Sequence, residues 1–216
     1  MNDSQRAFEL LTKGEIEELR HFIERDPSVA AVRDAAGISL LMQALYRGRR
    51  DLAEAIAAHK LELDIFEAAS LGRLGRLREC ARDAAQINSH SKDGFTALHF
   101  ACFFQQPQAV GLLIEAGAAV DAVATNPMQV MPLHSAASAR NLEAARLLLE
   151  HGAPVNARQQ GGWVPIHSAA QNGDRAMVDL LLQHKADAKL VNDEGKTPAA
   201  VAREKGYEEI VVLLDR

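Results

Sequence analysis

Three histidines, His99, His134 and His167, recur at intervals of 35 and 33 residues. Histidine is the commonest metal ligand and a frequent general base, so three in register raise the question of metal or acid–base chemistry. They sit in near-copies of one phrase: Gly94-Phe-Thr-Ala-Leu-His99-Phe-Ala-Cys102, Val130-Met-Pro-Leu-His134-Ser-Ala-Ala137 and Trp163-Val-Pro-Ile-His167-Ser-Ala-Ala170. Side chains on successive packed units lie roughly 10 Å apart, too far to share an ion bonded at about 2.1 Å. The histidines therefore read as structural, with no metal and no cofactor. Cys80 and Cys102 stand where other units carry Leu and Ala. They read as small core residues, since a reactive thiol needs a neighbouring base and partial exposure. Two cysteines also cannot make a disulfide framework or a four-ligand zinc site. Gly161-Gly162 lies in a polar turn, not in a strand–glycine–helix unit that would cradle phosphate. Arg47, Arg49 and Arg50, then Arg73, Arg76, Arg78 and Arg82, alternate with Asp51, Glu54, Glu67, Glu79 and Asp83. They read as a solvated helix face, with a patch for an acidic partner as the second reading. No catalytic residue is assigned and the chain is not expected to be an enzyme.

The elements that position these residues must be thin. In 216 residues there are 38 Ala and 26 Leu, but only seven Phe, two Tyr and one Trp. Large aromatics fill thick cores. Small Ala lets helix backbones approach, and Leu fills what remains. An apolar content of 48% excludes a disordered chain. The net charge of −5 argues against general nucleic-acid binding. No run approaches the ~18 apolar residues of a spanning helix. The polar start, Met1-Asn-Asp-Ser-Gln-Arg6, predicts no secretory signal. The expectation is a cytoplasmic, monomeric chain with reduced thiols and no membrane contact.

A fourth copy of the phrase, Gly195-Lys-Thr-Pro-Ala-Ala200-Val-Ala202, extends the series at a step of 33. Leu112-Leu-Ile114, Leu147-Leu-Leu149, Leu180-Leu-Leu182 and Leu213-Leu214 follow at constant distance, and Gly117-Ala, Gly152-Ala and Lys185-Ala close three of the units. These residues resemble the ankyrin repeat, with its period of 33 and its Thr-Pro-Leu-His-x-Ala signature. Weaker copies then fall at anchors 42, 66 and 8. The resemblance implies an all-α solenoid of about seven helix-turn-helix units with projecting β-hairpin fingers. As one domain over 1–216, its units run about 1–34, 35–61, 62–91, 92–126, 127–159, 160–192 and 193–216. The first two are degenerate and the last is a C-terminal cap. Between 60 and 64 there is no room for a finger, and Asp64 with Glu67 reads as a helix cap, so an irregular turn of the stack is expected there. Two extra residues within Thr125–Met131 predict a longer finger. The resemblance also makes His99, His134 and His167 structural, with Thr96 and Thr197 as their partners where present.

In ankyrin proteins partners dock on the fingers and on the exposed side of the first helix. Carried onto this chain, those positions are Tyr46, Arg47, Leu71, Phe95, Phe103, Phe104, Met128, Val130, Trp163 and Gln171. Half of the ten aromatics fall among them. Exposed apolar patches mark binding sites and hot spots favour Trp and Tyr. The alternative is that Phe103 and Phe104 pack along the groove and only stiffen it. The resemblance implies a non-catalytic module binding a protein partner. A regulatory or inhibitory subunit of a neighbouring enzyme or toxin is the alternative, and an enzyme is the least favoured. The wording of the motifs is similar to freestanding bacterial ankyrin proteins.

Overall fold

The computed structural model describes residues 2–215, and among them every regular element is a helix. They fall into two compact units, one ending at Glu67 and one beginning at Ala68.

The first unit holds α1 (Asp3–Lys13), α2 (Ile16–Arg25), α3 (Leu40–Tyr46), α4 (Arg50–Ala58) and the start of α5 (Ile65–Leu71). Asn2 caps α1: its side chain accepts the Gln5 N–H at 2.8 Å, and Gln5 accepts the Asn2 N–H at 3.2 Å. Ser39 caps α3 through the Met42 N–H. Leu10, Leu19, Leu41, Leu52 and Ile56 supply the buried apolar faces. The turn before α3 is closed by Asp34 N–H to the Ile38 carbonyl, and the Asp34 carboxylate accepts the Ala36 and Ile38 N–H groups.

Where the next finger is missing, charges take its place. The Asp64 carboxylate accepts the Glu67 N–H at 2.9 Å and Glu67 accepts the Asp64 N–H at 3.1 Å, a reciprocal cap at the start of α5. Lys60 Nζ lies 2.6 and 2.8 Å from the two Glu67 carboxylate oxygens, with the Lys60 and Glu67 side chains only 7% and 0% exposed. Arg33 meets Asp64 at 2.8 Å. The cap puts the third residue of α5 at Glu67, not at the spacing-derived 66. In α1 it falls on Gln5 and not on 8.

The second unit continues with α6 (Leu74–Cys80), α7 (Ala84–Ile87), α8 (Ala97–Phe103), α9 (Pro107–Glu115), α10 (Pro132–Ser138), α11 (Leu142–Glu150), α12 (Pro165–Asn172), α13 (Arg175–Gln183), α14 (Pro198–Glu204) and α15 (Glu208–Leu214). The first helices α8, α10, α12 and α14 stack side by side, and α9, α11, α13 and α15 form a second layer. Ala97, Ala101, Ala136, Ala137, Ala169 and Ala170 are wholly buried between the first helices. Pro107, Pro132, Pro165 and Pro198 open their helices, where a missing N–H costs nothing.

The fingers are turns, each closed at its base by one backbone hydrogen bond. Ser91 to Phe95, Gln159 to Trp163 and Asn192 to Lys196 each span four residues, whereas Ala124 to Val130 spans six. The two extra residues therefore sit in the tip. Neighbouring fingers are tied by Thr125 N–H to the Gly94 carbonyl, Gln160 to Met128 and Asp193 to Gly161. Gly94 has φ +87°, and a Cβ there would stand 2.7 Å from the Asn126 nitrogen.

Two of these positions set measurable stability. Lys185, at φ +68°, occupies the left-handed site that Gly117 and Gly152 fill in the preceding units. Lys185→Gly should raise stability by about 1 kcal/mol, read as a higher urea midpoint. Lys60→Met strands the buried Glu67 carboxylate and should cost about 3–5 kcal/mol. The double variant Lys60→Met/Glu67→Gln should lose less than the single one by the same denaturation measurement.

Candidate functional site

The repeated histidines form one hydrogen-bond device in the second unit. Each Nδ1 accepts the backbone N–H three residues earlier: Thr96 to His99 at 3.2 Å, Met131 to His134 at 3.1 Å and Val164 to His167 at 3.3 Å. With Nδ1 accepting, Nε2 carries the proton. It donates, at 3.0 Å in each case, to the carbonyls of Val130, Ala157 and Lys196. Each ring thus caps its own helix and holds the backbone of the following finger. The Thr96 hydroxyl also lies 2.8 Å from His99 Nδ1. Thr197 does something else: its Oγ1 accepts the Ala200 N–H at 3.2 Å, because position 200 carries no imidazole. The expectation of Thr197 as a histidine partner is corrected on that ground. Burial drives the His99 and His134 pKa values down to about 4, partly offset by the carbonyls they bond, and lowers that of His167 in the same way.

Around this buried device lies the face formed by the first-helix ends and the fingers. Phe103 ends α8 and is 49% exposed, and Met128 on the long finger is also 49% exposed. Behind Phe103 a run of rings leads inward. Phe103 meets Phe104 at 5.3 Å and 87°, Phe104 stacks on Phe100 at 6.3 Å, and Phe95 meets Phe100 edge-on at 5.6 Å. Phe95 and Phe104 are half-buried and Phe100 is buried, so the cluster is anchored in the core and ends in solvent. Trp163, half-buried, tilts over His167 at 5.5 Å. Gln171 is exposed at the end of α12. In the first unit Tyr46 and Arg47 are exposed at the end of α3, where Arg47 donates to the Gln43 carbonyl at 3.1 Å.

Two residues expected on this face are buried. Leu71 is 3% exposed, and the Gln106 side chain lies against the next residue, Gly72. Val130 is 5% exposed. Its carbonyl accepts both the Ala124 N–H and the His99 ring, which draws it into the base of the finger. The reverse case is the buried Lys60–Glu67 pair. The Asp64-x-x-Glu67 cap is legible in the sequence, but nothing in the spacing signals that a lysine is buried with it.

Residues 133–182 match the family described as ankyrin repeats (many copies), and residues 93–125 match the single ankyrin repeat. Across these residues the chain carries ankyrin repeats. It is 33% identical over 101 residues to the ankyrin repeat domain-containing protein SAT10 of Stachybotrys chartarum, a stretch that covers 47% of this chain and 5% of the fungal one. It is 31% identical over 99 residues to the palmitoyltransferase Hip14 of Drosophila melanogaster, covering 46% of this chain and 15% of the fly one. The chain thus matches only a small part of either curated relative. Ankyrin repeats are generally protein–protein interaction modules and are typically non-catalytic. In this ankyrin array both cysteines are buried, and burial pushes the Cys102 thiol well above its ordinary pKa, away from the reactive thiolate. Among the described residues, no helix is long and apolar enough to cross a membrane.

The neutral histidines make the ankyrin stack acid-sensitive. Unfolded histidine titrates near 6.5, whereas His99 and His134 do so at about 4 when folded. The unfolded chain therefore binds more protons between those values. The stabilisation is complete above about pH 6.5 and is lost as pH falls towards 4, on the order of 3 kcal/mol for each of these two rings. The urea midpoint should drop over that window. In the folded chain the His99 and His134 Cε1–H resonances should stay unshifted from pH 8 to pH 5; titration near 6.5 would contradict the assignment.

Proposed function

We propose that this chain is a non-catalytic binding module that docks a protein partner on the first-helix ends and fingers of its second unit. Phe103 carries the reading. A large ring held half in solvent is unfavourable unless something covers it, and this one is braced from behind by Phe104 and Phe100 instead of being turned inward. Such pre-positioning reduces the entropy lost on binding. Met128, Trp163 and Gln171 extend the face, and the bond from Gln160 to the Met128 carbonyl fixes the fingers that carry two of them. Phe95 and Phe104 act mainly as its support; Tyr46 and Arg47, in the first unit, are a separate candidate contact point. His99, His134 and His167 hold the framework and touch no partner.

A photo-crosslinking amino acid placed at Phe103 should give discrete protein adducts in lysate, while one at Glu143, on α11 in the second layer, should not. The triple variant Phe103→Ser/Phe104→Ala/Trp163→Ala should lower affinity for the captured protein at least tenfold, with the helical melting curve close to the parent's. Equal labelling from both positions, or undiminished affinity in the triple variant, overturns the reading.

A further inference from the structure

The same face carries a charge pattern that defines its partner more closely. Helices α8, α10 and α12, and the finger loops 125–131 and 159–163, contain no Asp or Glu at all. The four carboxylates between residues 94 and 172 lie elsewhere: Glu115, Glu143 and Glu150 on the second-layer helices α9 and α11, and Asp121 in the loop after α9. Three exposed cations border the apolar surface: Lys92 on the finger before α8, Arg140 just after α10 and Arg158 at the base of the next finger. Two of them are held by backbone carbonyls. Arg140 donates to the Asn172 carbonyl, and Arg158 donates to the Val191 and Gly162 carbonyls at 3.0 and 3.3 Å, with the Asp193 carboxylate of the next finger beside the same Gly162. A carbonyl orients a guanidinium but leaves its full charge to act outward. Asp93, next to Lys92 in the chain, is half-buried and accepts the Ser91 hydroxyl. Elsewhere on this chain arginines meet carboxylates repeatedly, as in Arg175–Glu209 and Arg203–Asp215, so their separation on this face is a local property.

Resting on the binding role proposed above, we infer that the partner is an acidic peptide segment with bulky apolar side chains. Its apolar side chains cover Phe103 and Met128, and its carboxylates face Lys92 and Arg140. The apolar contacts supply most of the affinity, and the charges set orientation, association rate and salt dependence. A peptide carrying Lys or Arg beside its anchors would place like charges against the rim and be rejected.

Selection of random 12-residue peptides displayed on phage, against the immobilised full chain, tests this. Enriched sequences should combine aromatic or large aliphatic residues with a net negative charge. As synthetic peptides they should bind the Lys92→Glu variant at least fivefold more weakly, and the parent about threefold more weakly at 0.5 M than at 0.15 M salt. Lys92 is an exposed finger residue, so that variant should keep the parent's fold; Arg140→Gln is the second charge variant. If enriched peptides are neutral or basic, or are indifferent to Lys92→Glu and to Arg140→Gln, the acidic assignment falls while the binding reading stands. If no peptide enriches over the Phe103→Ser/Trp163→Ser control, or a fluorescent twelve-nucleotide single-stranded DNA binds more tightly than the peptides do, the assignment falls too. The crosslinking experiment then decides the binding reading separately.

Discussion

A neutral imidazole that accepts a hydrogen bond from its own helix start and donates one to the next finger is the contact on which the second unit depends. Helices of seven to nine residues are too short to persist alone, and a single repeat cannot bury its apolar face. Side-chain packing between first helices brings the units together, but Ala against Ala tolerates sliding. The imidazole removes that freedom, because both of its nitrogens have directional partners on different units. Its geometry also requires the uncharged form, so the requirement for burial and the requirement for one tautomer are the same requirement.

In the first unit that logic is met with other chemistry. Glu67 occupies the third residue of α5, the place His99 holds in α8, and likewise accepts the N–H of its cap residue. A carboxylate cannot donate to a backbone carbonyl. Lys60 supplies donors to the carboxylate instead. The substitution of a charged pair for an imidazole and a carbonyl fits a short connection of six residues between α4 and α5, but it buries two charges whose attraction must offset their lost hydration.

Much of this is readable from residues alone. The repeated phrase around the histidines, the Leu pairs, the shortened 60–64 stretch and the long finger all depend on local spacing, which a linear sequence preserves. What escapes a linear reading depends on neighbours across the stack. Leu71 shares a helix-end position with residues that are at least partly exposed, yet it is itself buried. Val130 is drawn inward by a ring belonging to the preceding unit. Thr197 looks like Thr96 in sequence, yet its hydroxyl acts differently because Ala200 replaces the imidazole. Anchors 8 and 66 rest on the glycines that end α1 and α5. The caps that begin those helices sit at a different distance from the glycines than in the later units.

The long finger separates what this surface presents from what holds it up. Its two added residues lie between a base closed by Ala124 and Val130 and a side tied through Thr125 and Met128 to the adjoining turns. Neither connection depends on how many residues separate them, so length is absorbed at the tip and no helix shifts register. Variation there is structurally silent for the stack while altering what is presented to solvent. A lineage could lengthen, shorten or rewrite that tip and obtain a different recognition surface from an unchanged scaffold.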